Sequence, residues 1–379
     1  MAWKRSEEND SFPDAGPRLA RDGRWNQPGS VVTIPLPYLT ASVPGIGGTI
    51  RSTPDDFQVK ERPLYLPCGE GEHLYLQITK RGLGTPQLVL HLSSVLGIKA
   101  RAIGVAGLKD SNAVTTQMLS LQGVKPETLA RLRTDDRILA VEVLGRHRNR
   151  LRTGHHAGNE FRLVIRQVSP DAGERVSVVL DELVRRGVPH YFGPQRQGRK
   201  GENYLLGAAL LVDGARRNKL SRSKRLWYLH AYQAHLFNRI VAARIDRIDR
   251  LLSGDWAMKV ANGACFPVED PVQEQPRADA FEISPTGPLF GSRASWATGE
   301  AGAIEQEAVA ELGTTREALT AAAKACGFRG ERRALRVPLA GLDWSLQDRT
   351  LTLSFALPPG GYATNVLREL MKNEQNLPG

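Results

Sequence analysis

Apolar positions along the chain recur at two different periods. Phe57-Gln-Val59 alternates, and so do Leu74, Leu76 and Ile78, with the two-residue period of a half-buried strand. A helix follows. Thr85 is placed to cap it, Pro86 suits its first turn, Leu88, Val89, Leu92, Val95 and Leu96 share one face, and Gly97 ends it. Strands are predicted at 139–143 and 161–165. Ser169-Pro170 opens a second helix with Val176, Val179, Leu180, Leu183 and Val184 inward, and Gly187 closes it.

Beyond Gly187 the texture changes. A basic, glycine-rich loop runs from Gly193 to Gly201, and a long amphipathic helix is predicted over 226–252, with Leu229, Leu236, Phe237, Ile240, Val241, Ile245, Ile248 and Leu252 on one side. A Pro/Gly-rich passage, 281–302, precedes two short alanine-rich helices. The second carries a capping box, Thr314-x-x-Glu317, and stops at Gly327. Near the end Leu351, Leu353, Phe355 and Leu357 alternate as a strand, Pro358-Pro-Gly-Gly361 turns, and 364–372 forms a terminal helix. A strand this late is expected to rejoin the first sheet, which makes the middle region an insertion. Residues 1–44 are polar and Pro/Gly-rich with no period, the pattern of a flexible tail.

A length of 379 residues suits about two domains. The excess of 51 Lys and Arg over 40 Asp and Glu gives a net charge of +11 and a pI near 9.8, which points to a polyanionic partner, nucleic acid ahead of membrane. The basic residues concentrate at 146–152, at 196–200 and at 216–225. Cys68, Cys265 and Cys326 are far apart, so neither a disulfide framework nor a cysteine zinc site is expected. His155 and His156 are adjacent, which places them on opposite faces of a strand, and no metal site is expected. No apolar run reaches the length of a membrane span, and Met1-Ala-Trp-Lys-Arg-Ser-Glu-Glu lacks the apolar stretch of a signal peptide, so a cytoplasmic protein is expected.

One turn carries candidate chemistry. Ala106-Gly-Leu-Lys-Asp110 places an acidic residue in a glycine-led loop between apolar Ile103 and Val105 on one side and Met118, Leu119 and Leu121 on the other. With Ala113, Thr115 and Gln117 it resembles the motif of the TruD family of tRNA pseudouridine synthases. Other segments resemble that family in the same order. They are Asp56-Phe-Gln-Val-Lys-Glu61, Gly69-Glu-Gly-Glu-His73, Arg146-His-x-x-x-Leu151-Arg, Gly158-Asn-Glu-Phe161, Gly187-Val-Pro-His-Tyr-Phe-Gly193-Pro-Gln-Arg196, Ser284-Pro-Thr-Gly-Pro-Leu289 and Leu357-Pro-Pro-Gly-Gly-Tyr-Ala-Thr364. The resemblance spans about 45–371.

The resemblance implies an α+β fold. A pseudouridine synthase core, 45–186 and 335–379, has a mixed, mostly antiparallel sheet and carries an inserted α/β (TRUD) domain at 187–334, with an RNA cleft between the two. It implies that Asp110 is the catalytic carboxylate, acting as nucleophile or base while the glycosidic bond of a tRNA uridine, position 13 in the D-arm, is broken and remade at C5. It places the basic residue of the active site at Arg51, where the family commonly has lysine. Asn159 and Phe161 become contacts for a flipped base, and Lys109 and Arg196 further substrate-binding residues. The reaction adds no group and needs no redox step, so no cofactor is expected; tRNA is the expected partner, with no membrane and no obligate protein partner. Gly84, His190 and Gln197 depart from the family's pattern. Two rival readings stay open: a pseudouridine synthase for another RNA, and an RNA-binding or tRNA-folding protein whose catalysis is secondary.

Overall fold

A computed structural model describes residues 18–19, 25–26, 36–198, 201–213 and 220–373. In chain order the strands and helices are β1 (Arg18–Leu19), β2 (Trp25–Asn26), β3 (Thr49–Ile50), β4 (Phe57–Pro63), β5 (His73–Arg81), α1 (Thr85–Leu96), β6 (Ile103–Val105), β7 (Val114–Gln122), β8 (Ile138–His147), β9 (His156–Arg166), α2 (Ala172–Arg186) and β10 (Val188–Pro189). There follow α3 (Asn203–Asp213), α4 (Arg222–Ala243), β11 (Trp256–Lys259), β12 (Cys265–Pro267), α5 (Pro271–Asp279), β13 (Ile283–Leu289), α6 (Gly299–Ala310), α7 (Arg316–Ala325) and β14 (Glu331–Ala334). The chain ends with β15 (Arg336–Val337), β16 (Ala340–Gln347), β17 (Thr350–Leu357) and α8 (Ala363–Met371). Two compact units result: Tyr38–His190 with Arg336–Gly379, and Tyr191–Leu335 with the residues up to Pro37.

The first unit is built on one sheet in the order β16-β17-β9-β4-β7-β5-β8, with β3 on β9 and β6 on β7. The neighbours β4 and β7 run parallel and the other pairs antiparallel. The mixed, mostly antiparallel sheet expected above is therefore present, and β17 rejoins it against β9. Its apolar face is covered in two places. Leu88 and Leu92 of α1 pack with Leu74, Leu76, Ile78, Leu119 and Leu121, while α2 and α8 pack with Phe57, Phe161, Leu163, Leu353 and Phe355. Between these two clusters lies the part of the sheet that carries the site.

Register explains how that floor is made. Phe355 pairs with Phe161, Phe161 with Val59, Val59 with Thr115, and Thr115 with Lys80, so five strands contribute one row of side chains to one face. Two residues along, Leu357, Asn159 and Glu61 form the next row. A polar residue on this face is an exception to the alternation that buries it, and Lys80, Glu61 and Asn159 are such exceptions.

The second unit holds an antiparallel sheet in the order β12-β11-β13-β14, with helices packed on it. Two expectations are corrected here. The long helix stops at Ala243, not at 252, because Arg244 turns inward and its guanidinium donates to both carboxylate oxygens of buried Asp255, at 3.1 and 3.0 Å. The Pro/Gly-rich passage contains a fully buried strand, β13. Residues 283–285 pair with β11 and 286–289 with β14, and the Pro285 carbonyl accepts the Leu335 amide at 2.9 Å, so the strand is held by bonds that its two prolines need not donate.

Caps and ends differ from expectation as well. Gly84, not Thr85, caps α1, and its N–H donates to Gln87 Oε1 at 3.0 Å. Helix α2 starts at Ala172, and Val184, at the margin of its apolar stripe, is 42% exposed. Thr315, one residue after the expected cap, accepts from the Ala318 amide. The flexible tail was placed too far along: Leu39 and Thr40 are tied to Glu369 of α8, whose carboxylate accepts both amides and the Thr40 hydroxyl at 2.8–3.1 Å. Arg368 stacks on Tyr38 at 3.9 Å.

Replacing Glu369 with Ala strands these buried donors. We predict a loss of about 2–4 kcal/mol in urea unfolding, with new protease cleavage confined to 38–48.

Candidate active site

The turn between β6 and β7 holds Asp110. A carboxylate that is to react with a bulky substrate must be reachable and yet fixed. The Asp110 side chain is 54% exposed, and its neighbour Leu108 is 75% exposed. Fixation comes from the residues around and beneath them.

Arg51 supplies the first restraint. Its Nη2 donates to Asp110 Oδ2 at 3.0 Å, and its guanidinium lies 4.0 Å from the centre of the Phe57 ring. The cation is 12% exposed, so the pair is less screened than a surface one. Arg51 has φ of 56°, a left-handed conformation uncommon for a residue with a Cβ, and such strain clusters at functional sites. Arg51 is thus in direct contact with the aspartate.

The second restraint is Thr85. Its hydroxyl accepts the Lys109 amide at 2.8 Å and donates to Gln117 Oε1 at 2.8 Å, and its own amide donates to the Lys109 carbonyl at 3.3 Å. The first turn of α1 therefore grips the peptide beside Asp110. Reading Thr85 as a helix cap missed this use of its hydroxyl.

The third is an ion pair under the turn. Lys109 Nζ donates to Glu61 Oε2 at 2.7 Å, and Glu61 Oε1 accepts the Met118 amide at 3.2 Å. The side chains are 6% and 0% exposed. Lys109, expected to bind substrate, instead points into the floor of the site, because consecutive residues of the turn face opposite ways. Adding a Cβ at Gly107 would bring it to 3.3 Å from Lys109 Nζ, so that glycine makes room for the strut. His156 lies against the same pair; burial pushes its imidazole down, Lys109 acts in the same direction and Glu61 opposes them. His155 lies just before β9, outside the strand expected to hold both histidines, and its Nδ1 is 2.8 Å from the Tyr65 hydroxyl.

Phe161 and Asn159 lie in the floor on β9. The Phe161 ring is 8% exposed and stacks on Phe355 at 5.4 Å. Asn159 Oδ1 and Arg51 Nε are buried and have no hydrogen-bond partner among the described residues. Buried polar atoms are normally satisfied, so an unpaired acceptor here is suited to a ligand donor. Arg51, Lys109, Asp110, Asn159 and Phe161 all belong to the first unit. Arg196 belongs to the second, where its guanidinium lies 5.7 Å from the Phe192 ring.

The family model described as tRNA pseudouridine synthase D (TruD) matches residues 33–217 and 213–370. The chain is 42% identical to tRNA pseudouridine synthase D of Geobacter metallireducens, over 88% of this chain and 97% of that one. It is 44% identical to that of Thermus thermophilus, over 89% and 92%. The chain belongs to the tRNA pseudouridine synthase D family. The crystal structure of a Methanosarcina mazei protein described by the same name superposes with a TM-score of 0.74, at 24% identity, over 90% of this chain and 97% of that one, and so shares the fold.

Within this TruD chain the buried strut gives a sharp expectation. Replacing Glu61 with Gln leaves the Lys109 ammonium buried without a counter-charge, which should destabilise the unit by about 3–5 kcal/mol in denaturant unfolding. The isosteric change at an exposed pair, Arg81 with Asp55, should cost under about 1 kcal/mol by the same measurement.

Proposed function

We propose that this protein converts a uridine of tRNA to pseudouridine, with Asp110 as the catalytic carboxylate. The observation that carries the reading is the Asp110–Arg51 pair at 3.0 Å on a turn anchored from below, with the carboxylate left open to a substrate. The relatives above are named for tRNA and for this product.

The chemistry fits the groups present. The N1–C1′ bond of uridine breaks, the base turns, C5 bonds to C1′, and the C5 proton is lost while N1 gains one. Substrate and product are isomers, so no oxidant, reductant or group donor takes part. Asp110, held by Arg51, either attacks C1′ or removes a sugar proton as positive charge develops there. The base must leave its stack to be worked on. Phe161 then offers an aromatic contact in the floor, Asn159 Oδ1 accepts an N–H of the base, and exposed Leu108 gives an apolar contact to a neighbouring base. Position 13 in the D-arm is the target the family resemblance implies.

Phosphates are held by basic side chains outside this centre. Arg152, Arg222 and Lys224 are exposed, and α4 opens with Arg222, Lys224 and Arg225 and no acidic residue in its first turn. Cations at a helix N-terminus oppose the helix dipole, so their presence there favours a polyanionic partner. Arg216 and Arg217, in the same run, lie outside the described residues, as do Arg199 and Lys200. Among the described residues no helix is long and apolar enough to cross a membrane. We place the enzyme in the cytoplasm with its tRNA.

Asp110→Asn should abolish pseudouridine formation in purified tRNA, by at least about a thousandfold, as expected on losing a nucleophile or base. tRNA affinity, measured by filter binding, should change by less than about threefold. Near-normal turnover by the variant would move the catalytic role to another residue.

A further inference from the structure

Lys80 takes part in no step described above, yet it is fully buried. It ends the series Leu74, Leu76, Ile78 on the inward face of β5, a register position where an apolar side chain is the rule. Its ammonium donates to Thr115 Oγ1 at 2.6 Å and to the Leu83 carbonyl. Both contacts lead to the catalytic turn. Leu83 leads into α1, where Thr85 grips the Lys109 peptide, and Thr115 lies in β7, the strand that leaves the turn.

The charges around it do not balance locally. Lys109 is matched by Glu61, and Arg51 by Asp110. Among the described residues no carboxylate lies within ion-pair distance of Lys80. From α1 the titratable group is His91, whose Nδ1 lies 3.6 Å from Asp135 Oδ2; from β8 the residue opposite Lys80 is Ile138. Beneath the turn two buried ammonium groups, Lys80 and Lys109, therefore share one buried carboxylate, Glu61, which is bonded to Lys109. Burying an unmatched ammonium is costly, and an apolar residue of similar size would serve packing as well.

We propose that Lys80 is a positioning residue for Asp110. Its buried ammonium ties β5, β7 and the entry to α1 together under the catalytic turn and keeps that region positive while the uridine is rearranged. Loss of its proton removes the charge and slows the chemical step. The inference rests on the reading of Asp110 given above. Burial pushes the Lys80 ammonium down to about 8; nearby Lys109 adds to this and Asp110 opposes it. The active, protonated form therefore prevails below that pH and is lost above it.

The test is the single-turnover rate of pseudouridine formation at saturating tRNA between pH 6.5 and 9.5. The wild-type rate should be about tenfold lower at pH 9 than at pH 7. Lys80→Met should be about as slow at pH 7 as the wild type is at pH 9. It should lose the alkaline fall and keep its tRNA affinity and its melting temperature to within a few degrees. Lys80→Arg, which cannot lose its charge in this range, should restore much of the rate and abolish the fall. If Lys80→Met does not fold, Thr115→Val provides an independent arm: without its hydroxyl acceptor the ammonium gives up its proton more easily, and the fall should move to lower pH. A wild-type rate flat across the range, or an alkaline fall that persists in Lys80→Met, overturns the proposal. A wild-type protein that makes no pseudouridine at any pH refutes instead the function on which it rests.

Discussion

The ion pair between Glu61 and Lys109 is the constraint on which the rest of the site depends. The Asp110 carboxylate is open to solvent, so the turn that carries it is not covered. Packing from above is therefore ruled out, and a turn held only by its own hydrogen bonds would fray. The alternative is to hold the turn from underneath. Lys109, next to Asp110, reaches into the sheet and bonds a carboxylate that is wholly out of water. Glu61 is fixed in turn by the Met118 amide across the parallel strand pair β4 and β7.

That arrangement accounts for the polar residues in an otherwise apolar face. Thr85 and Gln117 extend the anchorage to α1, and Lys80 and Thr115 extend it to β5. Each partner is supplied by a different element, so the turn's position is set by the sheet register and the docking of α1 together. Arg51 then adds a cation to the Asp110 carboxylate itself, at the cost of a left-handed backbone. Such a network is favourable only when it is complete, since each member left alone would be a buried, unpaired polar group.

Alternation in β5, β9 and β17 made the sheet legible from sequence, because one buried face forces the two-residue period. The return of the last strand to the first sheet was legible for the same reason. Helix ends were less so. Arg244 stops α4 through a salt bridge to Asp255, and no local signal announces it. The prolines of β13 read as a loop because periodicity says nothing about which half of a strand is paired on which side. In the site, Asp110 and Arg51 were singled out through motif resemblance, and their side chains are hydrogen-bonded to each other at 3.0 Å. Lys109 was given to the substrate and serves the scaffold, since a motif records residue types and not directions. Lys80 left a visible trace: a lysine at the inward position of an alternating strand. That conflict between local pattern and residue type is the mark of a functional constraint.

The claim that the buried pair exists to hold Asp110, and not merely to fill the core, has a direct test. Pseudouridine formation replaces the hydrogen at C5, so release of tritium from C5-labelled tRNA uridine reports the chemical step. The measurement is the single-turnover release rate of the Glu61→Gln/Lys109→Met double variant, taken beside its unfolding midpoint. Removing both charges should return the midpoint towards that of the wild type, because no buried charge is left unmatched. The account predicts that release nevertheless stays slow. Release at the wild-type rate from the restored fold would contradict it.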